Sequence, residues 1–360
     1  MKSLFGGAYD GARVLVTGHT GFKGSWLCLW LTALGAKVTG LALAPPTSPA
    51  HWDLLSLNDV DDIRGDIRQL PPVISAFKKS SPEIVFHLAA QPLVRASYAD
   101  PLTTFQTNVL GLAHVLEASR STSALRAFVN VTTDKVYRDQ NPPVPYEESM
   151  PLGGHDPYST SKACAELVGD CYEKSFFASI AGGVRLASAR AGNVIGGGDW
   201  AQDRLIPDLV RSAMDGPVAR IRNPSAIRPW QHVLEPLAGY LRLGQRLLAG
   251  EDAGGAWNFG PSPTDIRPVS SVVSSVQASW AAIRTEIEVE PQPREAQVLM
   301  LDSSRAEVKL GWRGIWSAEQ AVERTATWYR RYAQDGLVSS ARDLGDYVEC
   351  AREKDQSWAT

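Results

Sequence analysis

The stretch "RVLVTGHTGFKGSWLCLWLTALG", residues 13–35, restricts the fold more than any other part of the chain. Residues 13–18 form a short apolar run of the kind that makes a strand. Trp26, Leu27, Trp30, Leu31 and Leu34 then recur at helical spacing, and Gly35 offers a helix stop. Between the two lie Gly18, Gly21 and Gly24. Glycines at such a turn let the backbone bend tightly and approach a pyrophosphate, which then sits on the positive end of the helix. The spacing is G-x-x-G-x-x-G rather than G-x-G-x-x-G, and a purely structural strand-to-helix turn would also use glycine. Context favours nucleotide binding.

The alternation continues. Strands are expected at 36–43, near 61–67, at 83–90 and at 126–133, with helices at 71–80, 103–119 and 158–177. Strands alternating with helical patterns imply an α/β fold, a doubly wound parallel sheet of Rossmann type. Beyond about residue 185 the texture changes. "GNVIGGGDW" is glycine-rich, a short helix is expected at 207–216, and amphipathic helices at 235–250 and 318–336. This predicts a first domain over 1–185 and a smaller α/β C-terminal domain over 186–360. The connection 138–157 holds five prolines and two glycines, too long for a simple turn.

Composition excludes more than it identifies. A net charge of -3 over 360 residues, with no basic run, argues against nucleic acid. No stretch approaches the ~20 apolar residues that span a bilayer, and the first 18 residues lack a signal-peptide pattern. Cys28, Cys164, Cys171 and Cys350 show no CxxC spacing, which fits thiols in a reducing cytoplasm. The six histidines are scattered, so no metal is expected.

Two patterns carry chemistry. Tyr158 and Lys162 in "YSTSK" share one helix face. An ammonium beside a phenol stabilises the phenolate, as does a cationic nicotinamide. Alone, such a pair is common on solvated helices. Thr132, Thr133, Asp134 and Lys135 lie past the carboxyl end of the fifth strand, where open parallel sheets bind ligands. In a continuing strand Asp134 and Lys135 would point to opposite faces. Both can serve one ligand only if the chain leaves β geometry there; the alternative is a helix-capping Asp and a surface Lys.

The GxxGxxG turn, "HLAA" (87–90), "TTDK" (132–135) and the YxxxK pair resemble the extended short-chain dehydrogenase/reductases that act on nucleotide sugars. "VTGHTGFKGSWL" (16–27), "PPTSP" (45–49), "TTDKVY" (132–137), "RAGNVIGGGDWAQDRLIPD" (190–208) and "RNPSAIRPWQHVLEPLAGYL" (222–241) resemble the CDP-glucose 4,6-dehydratases in particular. Epimerases of this group carry a small or hydroxyl residue in place of Asp134. Dehydratases of dTDP- and GDP-sugars carry Asp-Glu, and those of CDP-glucose resemble this chain in carrying Asp-Lys.

The resemblance implies a cytoplasmic homodimer or homotetramer that converts CDP-glucose to CDP-4-keto-6-deoxyglucose. It implies an NAD-binding domain over 1–185 with a returning segment around 230–260, and a mainly nucleotide-sugar-binding remainder. Catalysis falls to Thr133, Asp134, Lys135, Tyr158 and Lys162. Tyr158 takes the C4 hydroxyl proton, Lys135 the C5 proton, and Asp134 protonates the departing C6 hydroxyl. Cofactor contacts are expected from Gly18, Thr20, Gly21, Phe22, Lys23, Gly24, Asp66, Ile67, Leu88, Ala89, Ala90, Asn108, Thr132, Tyr158 and Lys162. Substrate contacts are expected from Asn193, Arg204, Leu205 and Arg228, the last on the pyrophosphate, which a guanidinium suits. No acid stands near Leu43 and Ala44, at the end of the second strand, to select NAD over NADP by its ribose. Lys135 needs burial or nearby cations to act as a base, since an ordinary lysine titrates near about 10.4.

Overall fold

The computed structural model describes residues 1–140, 142–178, 183–214, 216–288 and 299–360. Its first half reads β1 (Arg13–Thr17), α1 (Phe22–Ala33), β2 (Lys37–Ala42), α2 (His51–Leu55), β3 (Asp61–Arg64), α3 (Leu70–Ser80), β4 (Ile84–His87), α4 (Val94–Ala99) and α5 (Pro101–Phe105). A wider helical turn at Gln106–Leu110 leads into α6 (Gly111–Arg120), followed by β5 (Ala127–Val131), α7 (Pro157–Tyr172) and β6 (Arg185–Ala191). The second half adds β7 (Val194–Ile195), α8 (Leu205–Ala213), β8 (Ala219–Ile221), β9 (Ile227–Pro229), β10 (Gln231–His232) and α9 (Leu234–Leu248). It ends with β11 (Gly255–Phe259), β12 (Ile266–Pro268), α10 (Val269–Ser279), β13 (Thr285–Ile287), α11 (Ala318–Asp335) and α12 (Ser340–Glu353).

Seven strands form one sheet in the order β11-β6-β5-β4-β1-β2-β3, parallel throughout. Helices cover both faces, so Val14, Leu15 and Val16 of β1 and all of β5 are buried. On one face α1 and α9 pack with α12. Trp30 of α1 meets Tyr347 and Trp358 edge-on at 5.7 Å, and Trp358 stacks on Phe5 at 5.0 Å. On the other face α3, α6 and α7 bury Val73, Phe77, Leu112, Leu116 and Ala165. A second core, with Leu209, Val272, Trp328 and Tyr329, joins α8, α10 and α11.

Strand order reverses between β1 and β4. The chain leaving β1 crosses to one side of the sheet and the chain leaving β4 to the other, which opens a crevice at their carboxyl ends. β6 and β11 extend the same sheet from beyond residue 185, and α12 returns to α1, so chain order does not separate the two cores. Strand and helix bounds lie within a few residues of those expected from the sequence; the far end of the helix expected at 207–216 includes residue 215, outside the described residues. Among the described residues, no helix is long and apolar enough to cross a membrane.

Candidate active site

The glycine turn works by the absence of side chains. A β-carbon on Gly24 would lie 2.1 Å from the Gly18 carbonyl oxygen, and one on Gly18 would lie 2.6 Å from the Ala89 nitrogen. Gly18 adopts φ +76°, a conformation that L side chains rarely take. The turn can therefore press α1 against the end of β1. Gly21, at the start of α1, offers no side-chain cap, and the helix's leading amides open on the crevice. Thr20 Oγ1 donates to the Leu43 carbonyl at 3.1 Å and ties the turn to the end of β2. An uncapped helix N-terminus with a side-chain-free approach fits the diphosphate of a dinucleotide.

The crevice is a cleft of about 1150 Å³. Its walls include Gly18, Thr20, Gly21, Phe22, Lys23 and Gly24; Asp66, Ile67, Leu88, Ala89 and Ala90; Thr132, Thr133, Asp134, Lys135, Tyr158 and Lys162; and Asn193, Arg204, Leu205 and Arg228. Single-ligand pockets span about 300–1,000 Å³, so this one has room for a cofactor and a substrate together. Of the sequence candidates, Asn108 alone is not part of the wall. Its Oδ1 accepts from the Gln91 N–H at 2.8 Å, and its Nδ2 donates to Gln91 O and Ser161 Oγ. The amide is consumed in holding the loop after β4 onto α7, one layer behind the cleft. Asp66 lines the cleft but is clasped by the Arg68 guanidinium at 2.6 Å, which holds its carboxyl below the usual range.

The end of β5 answers the geometric question posed by Asp134 and Lys135. The chain abandons the strand and makes a single 3-10 turn at Asp134–Val136. Thr133 is the cap, its hydroxyl accepting the Lys135 N–H at 3.4 Å. Asp134 is thus not a capping residue, and both charged side chains line the same cleft. Asp134 is 2% exposed. Its Oδ1 accepts from the Thr133 hydroxyl at 3.0 Å, while Oδ2 is buried without a protein partner. Gly192 leaves that oxygen room, since a β-carbon there would come within 2.9 Å of it. Among the described residues, no ion pair joins Asp134 to Lys135.

Tyr158 sits in the first turn of α7, whose cap is Asp156 accepting the Ser159 N–H at 2.9 Å. Burial pushes the phenol up to about 12, and the neighbouring Thr133 hydroxyl and Arg204 only partly offset this. The YxxxK spacing predicts that Lys162 lowers this phenol. Instead the buried amine donates to the Val131 carbonyl at 3.0 Å, and burial brings it down to about 8 despite the pull of Glu166. The protein by itself positions the pair without shifting charge between them.

Glu166 and Arg190 brace the cleft from behind and were not among the residues singled out in the sequence. Glu166, one further helical turn beyond Lys162, accepts Thr132 Oγ1 at 2.6 Å and is gripped by Arg190 of β6, whose Nε lies 2.9 Å from Oε1. Arg190 also donates to Tyr137 OH at 2.7 Å, so one buried pair holds both flanks of the Asp134–Lys135 turn. The i, i+4, i+8 spacing of Tyr158, Lys162 and Glu166 was the available signal. Lys23 belongs to the glycine turn in sequence, but its side chain turns inward. Its Nζ lies 3.5 Å from Tyr240 OH of α9, and burial, helped by Arg204, lowers it to about 7.

This fold and this cleft are those of a nucleotide-sugar short-chain dehydrogenase/reductase. The chain belongs to the family whose model is described as GDP-mannose 4,6 dehydratase, which matches residues 15–325. It is 46% identical over 348 residues to the CDP-glucose 4,6-dehydratase of Salmonella typhimurium, covering 94% of this chain and 97% of that one. Among solved structures it is similar to DesIV, a dTDP-glucose 4,6-dehydratase from Streptomyces venezuelae with NAD and TYD bound. That match has 25% identity and a TM-score of 0.74, over 88% of this chain and 97% of the other. A UDP-glucose 4-epimerase from Thermus thermophilus in complex with NAD matches at 25% identity and a TM-score of 0.74, over 88% and 99%.

Proposed function

We propose that this enzyme is an NAD-dependent CDP-glucose 4,6-dehydratase. The observation that carries the reading is the 3-10 turn after β5, which aims an acid and an amine into the cleft that holds Tyr158. The 46% identity to a CDP-glucose 4,6-dehydratase supports the choice of sugar. Gly18 to Gly24 would hold the cofactor's diphosphate, and Lys162 its nicotinamide ribose. Bound NAD supplies a hydride acceptor for C4 and a donor for C6, and its positive charge favours the phenolate of a nearby tyrosine.

The chain's own residues then have distinct tasks. Tyr158 removes the C4 hydroxyl proton, with Thr133 hydrogen-bonded to the same oxygen. Oxidation at C4 acidifies C5, and Lys135 as a free amine takes that proton. Asp134, protonated, gives its proton to the leaving C6 hydroxyl; its buried, unpartnered Oδ2 faces the space left by Gly192. Arg204, Leu205 and Asn193 line the sugar end, and Arg228 offers a guanidinium to the diphosphate. Cofactor binding falls mainly to 1–185 with the segment around 230–260, and substrate binding mainly to the rest. Exposed Leu102, Leu110 and Leu167, on the stretch from α5 to α6 and on α7, support pairing of two copies through these helices.

The test is CDP-glucose deuterated at C4, incubated with the enzyme and NAD. A 4-keto-6-deoxy product with deuterium at C6 is expected. Deuterium retained at an inverted C4 would make the enzyme an epimerase, and turnover of dTDP-, GDP- or UDP-glucose in preference to CDP-glucose would overturn the nucleotide assignment.

A further inference from the structure

Around Arg204 the charges of the cleft do not pair one to one. Asp199 is taken by Arg204 at 2.9 Å, and Asp208 by Arg211, which also donates to the Trp200 and Ala201 carbonyls. Asp203 is placed differently. Its Oδ1 lies 3.0 Å from Arg95 Nη1 and 3.4 Å from Arg222 Nη1. The other Arg222 nitrogen is 4.0 Å from Asp208, which already has Arg211. Two guanidinium groups thus converge on one carboxylate oxygen, and all three side chains line the cleft together with Arg228. One carboxylate neutralises only half of the charge gathered there.

The three residues come from separate segments. Arg95 stands on α4, Asp203 just before α8, and Arg222 just after β8. Their contact joins the side of the cleft that follows β4 to the side formed by α8 and β8. Asp203 enters it from a left-handed backbone, φ +60°, which Asp and Asn adopt more readily than other residues with side chains. Arg95 and Asp203 are both exposed, and ion pairs between exposed side chains are weak. The carboxylate can leave at little cost.

Under the proposed function, on which this inference rests, the cleft admits a diphosphate that carries two negative charges. Asp203 in its present place would repel that group. Arg95 and Arg222 suit it, because both already reach a single oxygen and one anion can touch both. We infer that Asp203 is an internal stand-in for the diphosphate: CDP-glucose displaces its carboxylate and takes Arg95 and Arg222 in its place, adding them to Arg228. Each guanidinium then turns its N–H groups to phosphate oxygens, a closer match in charge than one carboxylate shared by two arginines. Substrate entry exchanges the chain's own anion for that of the ligand, so Asp203 lowers affinity without touching the bound nucleotide.

The experiment is calorimetric titration of the NAD-loaded enzyme with CDP and with cytidine, comparing the unaltered chain with Asp203→Asn, Arg95→Met and Arg222→Met. Asn keeps the left-handed backbone and removes the charge. Asp203→Asn is expected to bind CDP about tenfold more tightly, and each arginine variant about tenfold more weakly, the scale of one charge-assisted hydrogen bond. Cytidine, which has no phosphate, should show no difference among the four. In a chain lacking both arginines the gain from Asp203→Asn should vanish, since no guanidinium remains to be withheld. An undiminished gain there would mean repulsion through space and would overturn the exchange. So would CDP affinity in Asp203→Asn no tighter than in the unaltered chain, CDP affinity unmoved in either arginine variant, or changes for cytidine as large as those for CDP. Preference for another nucleoside diphosphate over CDP would instead remove the nucleotide assignment, and the same charge effects read with that diphosphate would still decide for or against Asp203.

Discussion

After β1 the chain turns through Gly18 at φ +76°, with no space for a β-carbon on Gly24. After β5 it turns at Thr133, whose hydroxyl caps the 3-10 turn and reaches Asp134. The first turn is made of backbone and offers bare amides; the second is made of side chains and offers an acid, an amine and a hydroxyl. Under the proposed function the backbone-built turn holds a diphosphate and is indifferent to the reaction. A side-chain-built turn decides the chemistry. An epimerase and a dehydratase each match this chain's fold at a TM-score of 0.74, and under the proposed function it is the side chains after β5 that commit this chain to dehydration.

The largest effect is expected at Tyr158 of α7, which in the proposed mechanism serves oxidation and so acts before elimination. Tyr158→Phe is expected to lower turnover by roughly 10²–10⁴-fold, the usual share of a general base, with no change in thermal unfolding. Steady-state rates and a melting curve check this; a loss under tenfold would take Tyr158 out of the chemistry.

Next come the two glycines that flank the turns. Gly24→Ala forces a β-carbon to within 2.1 Å of Gly18 O, so it should destabilise by about 1–3 kcal/mol and weaken NAD binding. Gly192→Ala meets a side-chain oxygen, Asp134 Oδ2, at 2.9 Å, and should cut turnover about tenfold while leaving NAD affinity alone. Calorimetric titration with NAD and steady-state rates separate them. Equal loss of NAD affinity in both variants would erase the division between the turns.

The smallest effect is a pH slope. Burial lowers Lys162 to about 8, whereas in the unfolded chain it keeps its proton to about 10.5. Between those values the unfolded state binds more protons, so this residue's contribution to stability rises with pH, by at most about 1.4 kcal/mol per unit. The stability advantage of Lys162→Met over the unaltered chain, read from urea midpoints, should shrink from pH 8 to pH 10. A constant difference would place the amine in water.

Much of the cleft wall around the glycine turn and α7 was legible because its signals are local. Gly18, Gly21 and Gly24 lie within one turn, and Tyr158 and Lys162 on one helix face. The doubly wound parallel sheet followed from strand–helix alternation, while its strand order and the outer strands β6 and β11 did not. The partners of the β5 turn were not legible, because packing brings them from remote segments. Gly192 follows β6 and Arg190 lies within it; nothing in the sequence around Asp134 points to them. Burial also overruled one local expectation: it raised Tyr158 where a neighbouring lysine was expected to lower it.

The division of labour between Tyr158 and Asp134 is tested most directly by solvent exchange at C5 in Asp134→Asn. With CDP-glucose and NAD in D₂O, this variant should still oxidise C4 and let Lys135 exchange the C5 proton, then return the sugar unchanged in constitution. Recovered CDP-glucose should carry deuterium at C5 while 4-keto-6-deoxy product falls by about 10²-fold, and Tyr158→Phe should show neither exchange nor product. Product formation by Asp134→Asn within a few-fold of the unaltered enzyme, or C5 exchange that survives in Tyr158→Phe, would contradict the account.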